Sequence, residues 1–244
     1  MDHIKNEVKG LVEKYNNQGH ATYEKMVPII LKKGIECVNL SMFGEEMRNN
    51  IMNSVGEELV KKGKVSEAVK AFVATNNSQR LVNIGDDFSS KGMYSDAIDC
   101  YKLAQNRERL RVTGETCLRD GQMVDAIRAY KLLNDKEMLL KVGEECIKRE
   151  KYDSAIEVFH SLENTPKLIE VGDKCVKTER NECLPFAERA YSIAGEQDKL
   201  NTLGDLFLKK EKLQSAFRVY KTAGNHMMMS FLRENFGIGQ EASQ

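Results

Sequence analysis

The sequence contains no tryptophan and only three prolines, and its 37 basic residues are balanced by 37 acidic ones. Scarce proline beside abundant Lys, Glu, Leu and Ala favours helices. A chain of zero net charge lacks the basic excess of a phosphate-backbone binder, so nucleic acid is not an expected partner. Long apolar runs are also missing. The longest, MVPIIL, falls far short of the roughly 20 residues a membrane helix needs, so no membrane insertion is expected. The stretch MDHIKNEVKGLVEK is charged throughout and has no apolar core of the secretory-signal type. These absences predict a cytoplasmic protein whose six cysteines are reduced thiols.

Catalytic and metal signatures are equally sparse. No two cysteines form a CxxC pair, and the histidines at 3, 20, 160 and 226 are scattered without HExxH spacing. GEELVKKGKVS at 56–66 places six residues between its glycines, where a phosphate loop has four. No carboxylate pair stands out as an acid–base couple. The expectation is a protein that is not an enzyme and holds no cofactor or metal.

What the sequence does contain is one phrase repeated. Glycines 56, 85, 114, 143 and 172 are each 29 residues apart, and Gly204 follows 32 later. Twelve residues after the first four stand Ala68, Ala97, Ala126 and Ala155; four further on stand Phe72, Tyr101, Tyr130 and Phe159. After Gly172 the pair arrives three residues late, as Ala187 and Tyr191, and it regains register as Ala216 and Tyr220. A single three-residue insertion in TERNECLPF accounts for the break.

Each unit reads as two short helices. In the first, Leu110, Thr113, Gly114 and Cys117 form a stripe at i, i+3, i+4 and i+7. In the second, Ala97, Ile98, Tyr101 and Ala104 share a face. Gly63, Gly92 and Gly121 mark the turn between them. Asn77, Asn106, Asp135, Asn164 and Asn225 stand where a first helix begins, as residues whose side-chain oxygen caps free backbone N–H groups. A helical glycine costs roughly 1 kcal/mol relative to alanine. Six of them therefore require a return, and close approach between the glycine and the alanine of the second helix is the predicted one.

The series Gly85, Ala97, Tyr101, Ala104, with GMYSDAIDCY at 92–101, resembles the tetratricopeptide repeat. The resemblance covers about residues 50–236. It implies an all-α fold: an α-solenoid of stacked helix-turn-helix repeats wound into a right-handed superhelix. The period here is shorter than the family's roughly 34 residues. Leu81, Leu110, Leu139, Leu168 and Leu200 stand where the family has tryptophan, and its late proline is missing. Shortened repeats of this kind are similar to those of coatomer, clathrin and intraflagellar-transport solenoids.

The predicted organisation is an N-terminal region over 1–49, six hairpins over 50–224, a capping half-repeat over 225–237 and a flexible tail over 238–244. LKKGIECVNLSMF at 31–43 aligns with VKKGKVSEAVKAF at 60–72, which suggests a degenerate earlier unit. A helix is also expected at about 3–17, and Pro28 argues against an uninterrupted one around it. Cys117, Cys146 and Cys175 share a slot three residues after the glycine with Leu59, Phe88, Phe207 and Phe236. A slot that takes Leu, Phe and Cys alike predicts packing rather than chemistry.

Function is sought on the first helices. An acid follows each glycine (Glu57, Asp86, Glu115, Glu144, Asp173, Asp205), and in five of the six a base stands four later (Lys61, Arg119, Lys148, Lys177, Lys209). The bland reading is a self-paired helix face. The resemblance implies that this helix lines a concave surface contacting a peptide. The expected function is therefore a non-catalytic scaffold or adaptor binding another protein through these residues. A structural subunit of a coat-like or transport assembly, with possible homo-oligomerisation, is the first alternative. A helical-repeat RNA binder is the second, disfavoured by the neutral charge.

Overall fold

The computed structural model describes residues 26–178 and 180–239. Among them are fourteen α-helices and no strand. They are α1 (Val27–Lys33), α2 (Glu45–Lys61), α3 (Val65–Ala74), α4 (Ser78–Ser90), α5 (Tyr94–Leu103), α6 (Arg107–Arg119) and α7 (Met123–Leu133), then α8 (Lys136–Lys148), α9 (Tyr152–Ser161), α10 (Thr165–Lys177), α11 (Leu184–Ala194), α12 (Gln197–Lys209), α13 (Leu213–Ala223) and α14 (His226–Phe236). Contacts divide the chain into two compact units, Met1–Glu115 and Thr116–Gln244, with the division inside α6. In the first unit α2 packs on α3, α3 on α4 and α4 on α5; in the second the same succession runs from α7 through α14. The fold is a helical repeat in which neighbours along the chain are neighbours in space.

The caps fall where the sequence places them. Asn77, Asn106, Asp135, Asn164 and Asn225 accept hydrogen bonds from the backbone N–H three residues on, at 2.9–3.2 Å. Helix ends repeat as well. The backbone N–H groups of Lys64, Met93, Gln122, Lys151 and Lys212 return to the carbonyls of Leu59, Phe88, Cys117, Cys146 and Phe207. These six-to-one bonds close a left-handed turn. That turn is glycine at 63, 92 and 121 (φ 73–78°), but Glu150 and Glu211 occupy it with φ of 58°.

The helical glycines face an aromatic ring rather than the alanine expected of them. A Cβ on Gly56, Gly85, Gly143 or Gly204 would stand 2.5–2.7 Å from the ring of Phe72, Tyr101, Phe159 or Tyr220, and Gly172 meets Tyr191 in the same way. Burial of a large ring against bare backbone is what offsets the helix cost. The alanines are fully buried. In the second unit α9 packs on both α7 and α11, and α11 on α13. The residue before each aromatic there, Ala129, Val158, Ala190 or Val219, is fully buried.

The cysteine slot behaves as core. Cys117, Cys146 and Cys175 are fully buried, and burial raises their thiols to about 12, about 11 and about 12. Two occupants of the slot differ. Phe88 is half-buried, and Phe236 is 51% exposed because among the described residues no second helix follows α14. α14 packs on α13 and is seated through fully buried Leu232. The chain beyond it turns back: the Ile238 N–H reaches the Leu232 carbonyl, and Gly239 abuts the Phe217 ring. The longer turn precedes α11; Cys183 at its end and Leu184 at the start of the helix are buried, and Pro185 stands in the first turn.

The N-terminal expectations fare less well. Pro28 sits in the first turn of α1, where its missing N–H costs nothing. Residues 35–37 form a single 3₁₀ turn and 38–44 no helix, so the degenerate unit has no second helix. VNLSMF carries no alanine at the buried positions that fix α3. α2 begins at Glu45, earlier than the predicted boundary at 50. The helix expected at 3–17 lies outside the described residues.

Candidate partner-binding grooves

The acids that follow the helical glycines do not pair with the base four residues on. Glu57 meets Arg80 at 2.5 Å, Asp86 meets Arg109 at 3.0 Å, and Glu144 meets Lys167 at 2.9 Å. Each partner is 23 residues ahead, on the next first helix. Asp173 meets Lys199 at 2.6 Å, 26 residues ahead because of the three-residue insertion. For these four of the six acids the self-paired face is thus replaced by bridges between successive first helices. These pairs are partly solvent-exposed, so each is worth at most about 1 kcal/mol. They fix how one helix lies on the next more than they stabilise it.

In three of the pairs the aromatic is a tyrosine whose hydroxyl donates to the same acid. Tyr101 reaches Asp86 at 2.7 Å, Tyr191 reaches Asp173 at 2.7 Å, and Tyr220 reaches Asp205 at 2.6 Å. Burial pushes the Asp173 carboxyl up, but hydrogen bonds from Lys199 and Tyr191 outweigh it and hold the group below its usual range. The Lys167 pair holds Glu144 low in the same way.

The bases at the register four residues after each acid therefore remain outside this network. Lys61 turns to Glu58 at 2.6 Å, and Lys148 lies 3.4 Å from Glu145. Arg119 lies 3.5 Å from its neighbour Asp120. Among the described residues Lys177 and Lys209 make no ion pair. Glu115 is exposed on α6.

Two open grooves run along first helices. One, about 610 Å³, lies between α1 and α2 and includes Glu57 and Lys61 with Pro28 and Leu31. The other, about 930 Å³, lies between α10 and α12 and includes Asp173, Lys177, Asp205 and Lys209. Six of the residues selected by register therefore line grooves, while Asp86, Glu115, Arg119, Glu144 and Lys148 line neither. The bridging bases Arg80, Arg109, Lys167 and Lys199 were not among the predicted residues. Their signal was present, since each stands five residues before a helical glycine.

His160 and His226 are exposed. Among the described residues no three His, Cys, Asp or Glu side chains are placed to hold a metal ion, and no helix is long and apolar enough to cross a membrane. No protein-family model matches the chain, and no curated protein does.

Proposed function

We propose that the chain is a non-catalytic scaffold of the cytoplasm, a tetratricopeptide-like right-handed α-solenoid that holds a segment of another protein along its first helices. The observation that carries this reading is the coincidence of register and cavity. Residues chosen only for their distance from the repeated glycine line both grooves: Glu57 and Lys61 one, Asp173, Lys177, Asp205 and Lys209 the other. A groove walled by two helices and floored by apolar side chains suits an extended or helical segment. Bases left outside the bridge network are available to it at little cost.

The test is photo-crosslinking in a lysate of the source cells. A photoreactive amino acid is placed at 61 or 209 on first helices, and at 102 or 221 on second helices. The reading expects one protein to be trapped reproducibly from the first pair of positions and not from the second. Trapping from 102 and 221 alone would move the interface to the other face.

A structural subunit of a larger assembly is the second reading, and one observation favours it. α14, the last helix among the described residues, leaves the large apolar side chains Met227, Phe231 and Phe236 at 75%, 46% and 51% exposure. Self-association in sedimentation that is lost in a Phe231→Ser, Phe236→Ser variant would favour the subunit over the adaptor.

A further inference from the structure

The groove between α10 and α12 differs from the rest of the repeat in three respects. It lies at the junction where the intervening turn is three residues longer, which sets the Asp173–Lys199 bridge at an offset of 26 instead of 23. Its wall carries Leu206, two residues after Gly204, where the other first helices have Glu58, Asp87, Thr116, Glu145 and Lys174. With Ile169 and Val176, likewise half-buried, Leu206 gives the groove an apolar floor at a position otherwise polar.

The third respect is charge. The groove's acids are mostly committed: Asp173 to Tyr191 and Lys199, Asp205 to Tyr220, Glu170 to Lys167 at 3.0 Å. Asp198 is the exception, and it stands in the first turn of α12. Lys177 and Lys209 stand in the last turns of α10 and α12, at matching register, both exposed. A lysine in a last turn also complements the helix dipole. Two of them flanking one apolar floor do more: they leave two positive charges unanswered at one end of the groove.

We infer that the α10–α12 groove takes a protein segment bearing an apolar anchor side chain followed by carboxylates, the anchor on Ile169, Val176 and Leu206 and the carboxylates on Lys177 and Lys209. The inference rests on the scaffold reading and names the chemistry of its partner. Apolar burial supplies the affinity, and the lysines fix direction and register.

The experiment uses the full chain and labelled synthetic peptides in fluorescence anisotropy. One series has a leucine with two glutamates at varied spacing beyond it; matched series carry lysine for glutamate, or serine for leucine. Only the leucine–glutamate series is expected to bind. A Lys177→Glu, Lys209→Glu variant should weaken it by about tenfold or more, with unchanged circular dichroism because both residues are exposed. Raising salt to about 0.5 M should also weaken it. Binding of the lysine series instead, or of the glutamate series undiminished by the double reversal, overturns the acidic preference while leaving the scaffold standing. Failure of every series overturns the inference alone if the probe at 209 still traps a partner, and both readings if it does not.

Discussion

The hydroxyl of Tyr191 donates to Asp173 Oδ1 at 2.7 Å, and the Lys199 ammonium reaches the same oxygen at 2.6 Å. One carboxylate thereby joins the second helix of its own pair to the first helix of the next. The arrangement has a sequence counterpart. Tyr101, Tyr191 and Tyr220 accompany Asp86, Asp173 and Asp205, whereas Phe72 and Phe159 accompany Glu57 and Glu144; only Tyr130 is matched with a glutamate, Glu115. At Tyr101, Tyr191 and Tyr220 the shorter acid reaches back to the phenol, and beside Phe72 and Phe159, which have none, the acid is the longer glutamate.

Tyr191→Phe removes that donor without altering the ring on Gly172. The expected loss is about 1 kcal/mol, held down by the partial exposure of Asp173. Urea unfolding at unchanged slope measures it. Adding Asp173→Glu, the natural companion of phenylalanine, should recover part of the loss. A doubly substituted chain no more stable than Tyr191→Phe would detach the residue pairing from packing.

Acid should weaken the bridges. The Asp173 and Glu144 carboxyls lie below their usual ranges in the folded chain. A group depressed on folding stabilises above its unfolded pKa, and that contribution is lost as pH falls through the folded value. Stability from these residues is therefore level from about pH 7 to 5 and declines below about pH 4. Asp173→Asn should flatten the decline in a pH series of urea midpoints. An unchanged slope would show that the bridge is not the titrating element.

Much of the fold was legible because the repeat supplied its own controls. The five Asn and Asp caps, the three-residue insertion and the buried cysteines all follow from register. The aromatic ring on five of the helical glycines did not, because spacing along a helix pair does not say which side chain of the partner fills the gap. The acid–base bridges were missed for a related reason. Helical spacing of four is local and visible, whereas a spacing of 23 becomes a contact only after one pair has stacked on the next. Residues 31–43 failed differently, matching a repeat in their charges and glycine but lacking its buried alanine.

The left-handed turn offers a stabilising change. Glu211 holds φ of 58° at a position that is glycine in three other pairs. Glu211→Gly should gain about 0.5–1 kcal/mol, strain relief being partly offset by a freer unfolded chain. Glu150→Gly should gain less, since Glu150 also pairs with Arg180 at 2.6 Å. Thermal unfolding of the two variants would rank them. A destabilised Glu211→Gly would mean that the glutamate makes up for its conformation elsewhere.

Thiol chemistry separates core from surface. Cys37 is exposed, and the other five cysteines are buried. A thiol reagent at about pH 8 should label Cys37 within the mixing period and the rest only as the chain opens, because burial holds thiols such as Cys146 and Cys175 undissociated. Fast native labelling of Cys117, Cys146 and Cys175 would contradict their packing role.

The most direct test of the account is excision of one period. If the helical pairs are equivalent modules whose interfaces repeat, deleting residues 114–142 joins Thr113 to Gly143 in register and lets like interfaces close. Circular dichroism should then show unchanged helicity per residue, and urea a single cooperative transition. Deleting 114–128 instead sets part of a second helix where a first belongs and should abolish that transition. Equal unfolding of both deletions, or equal survival, would contradict the equivalence of the repeats.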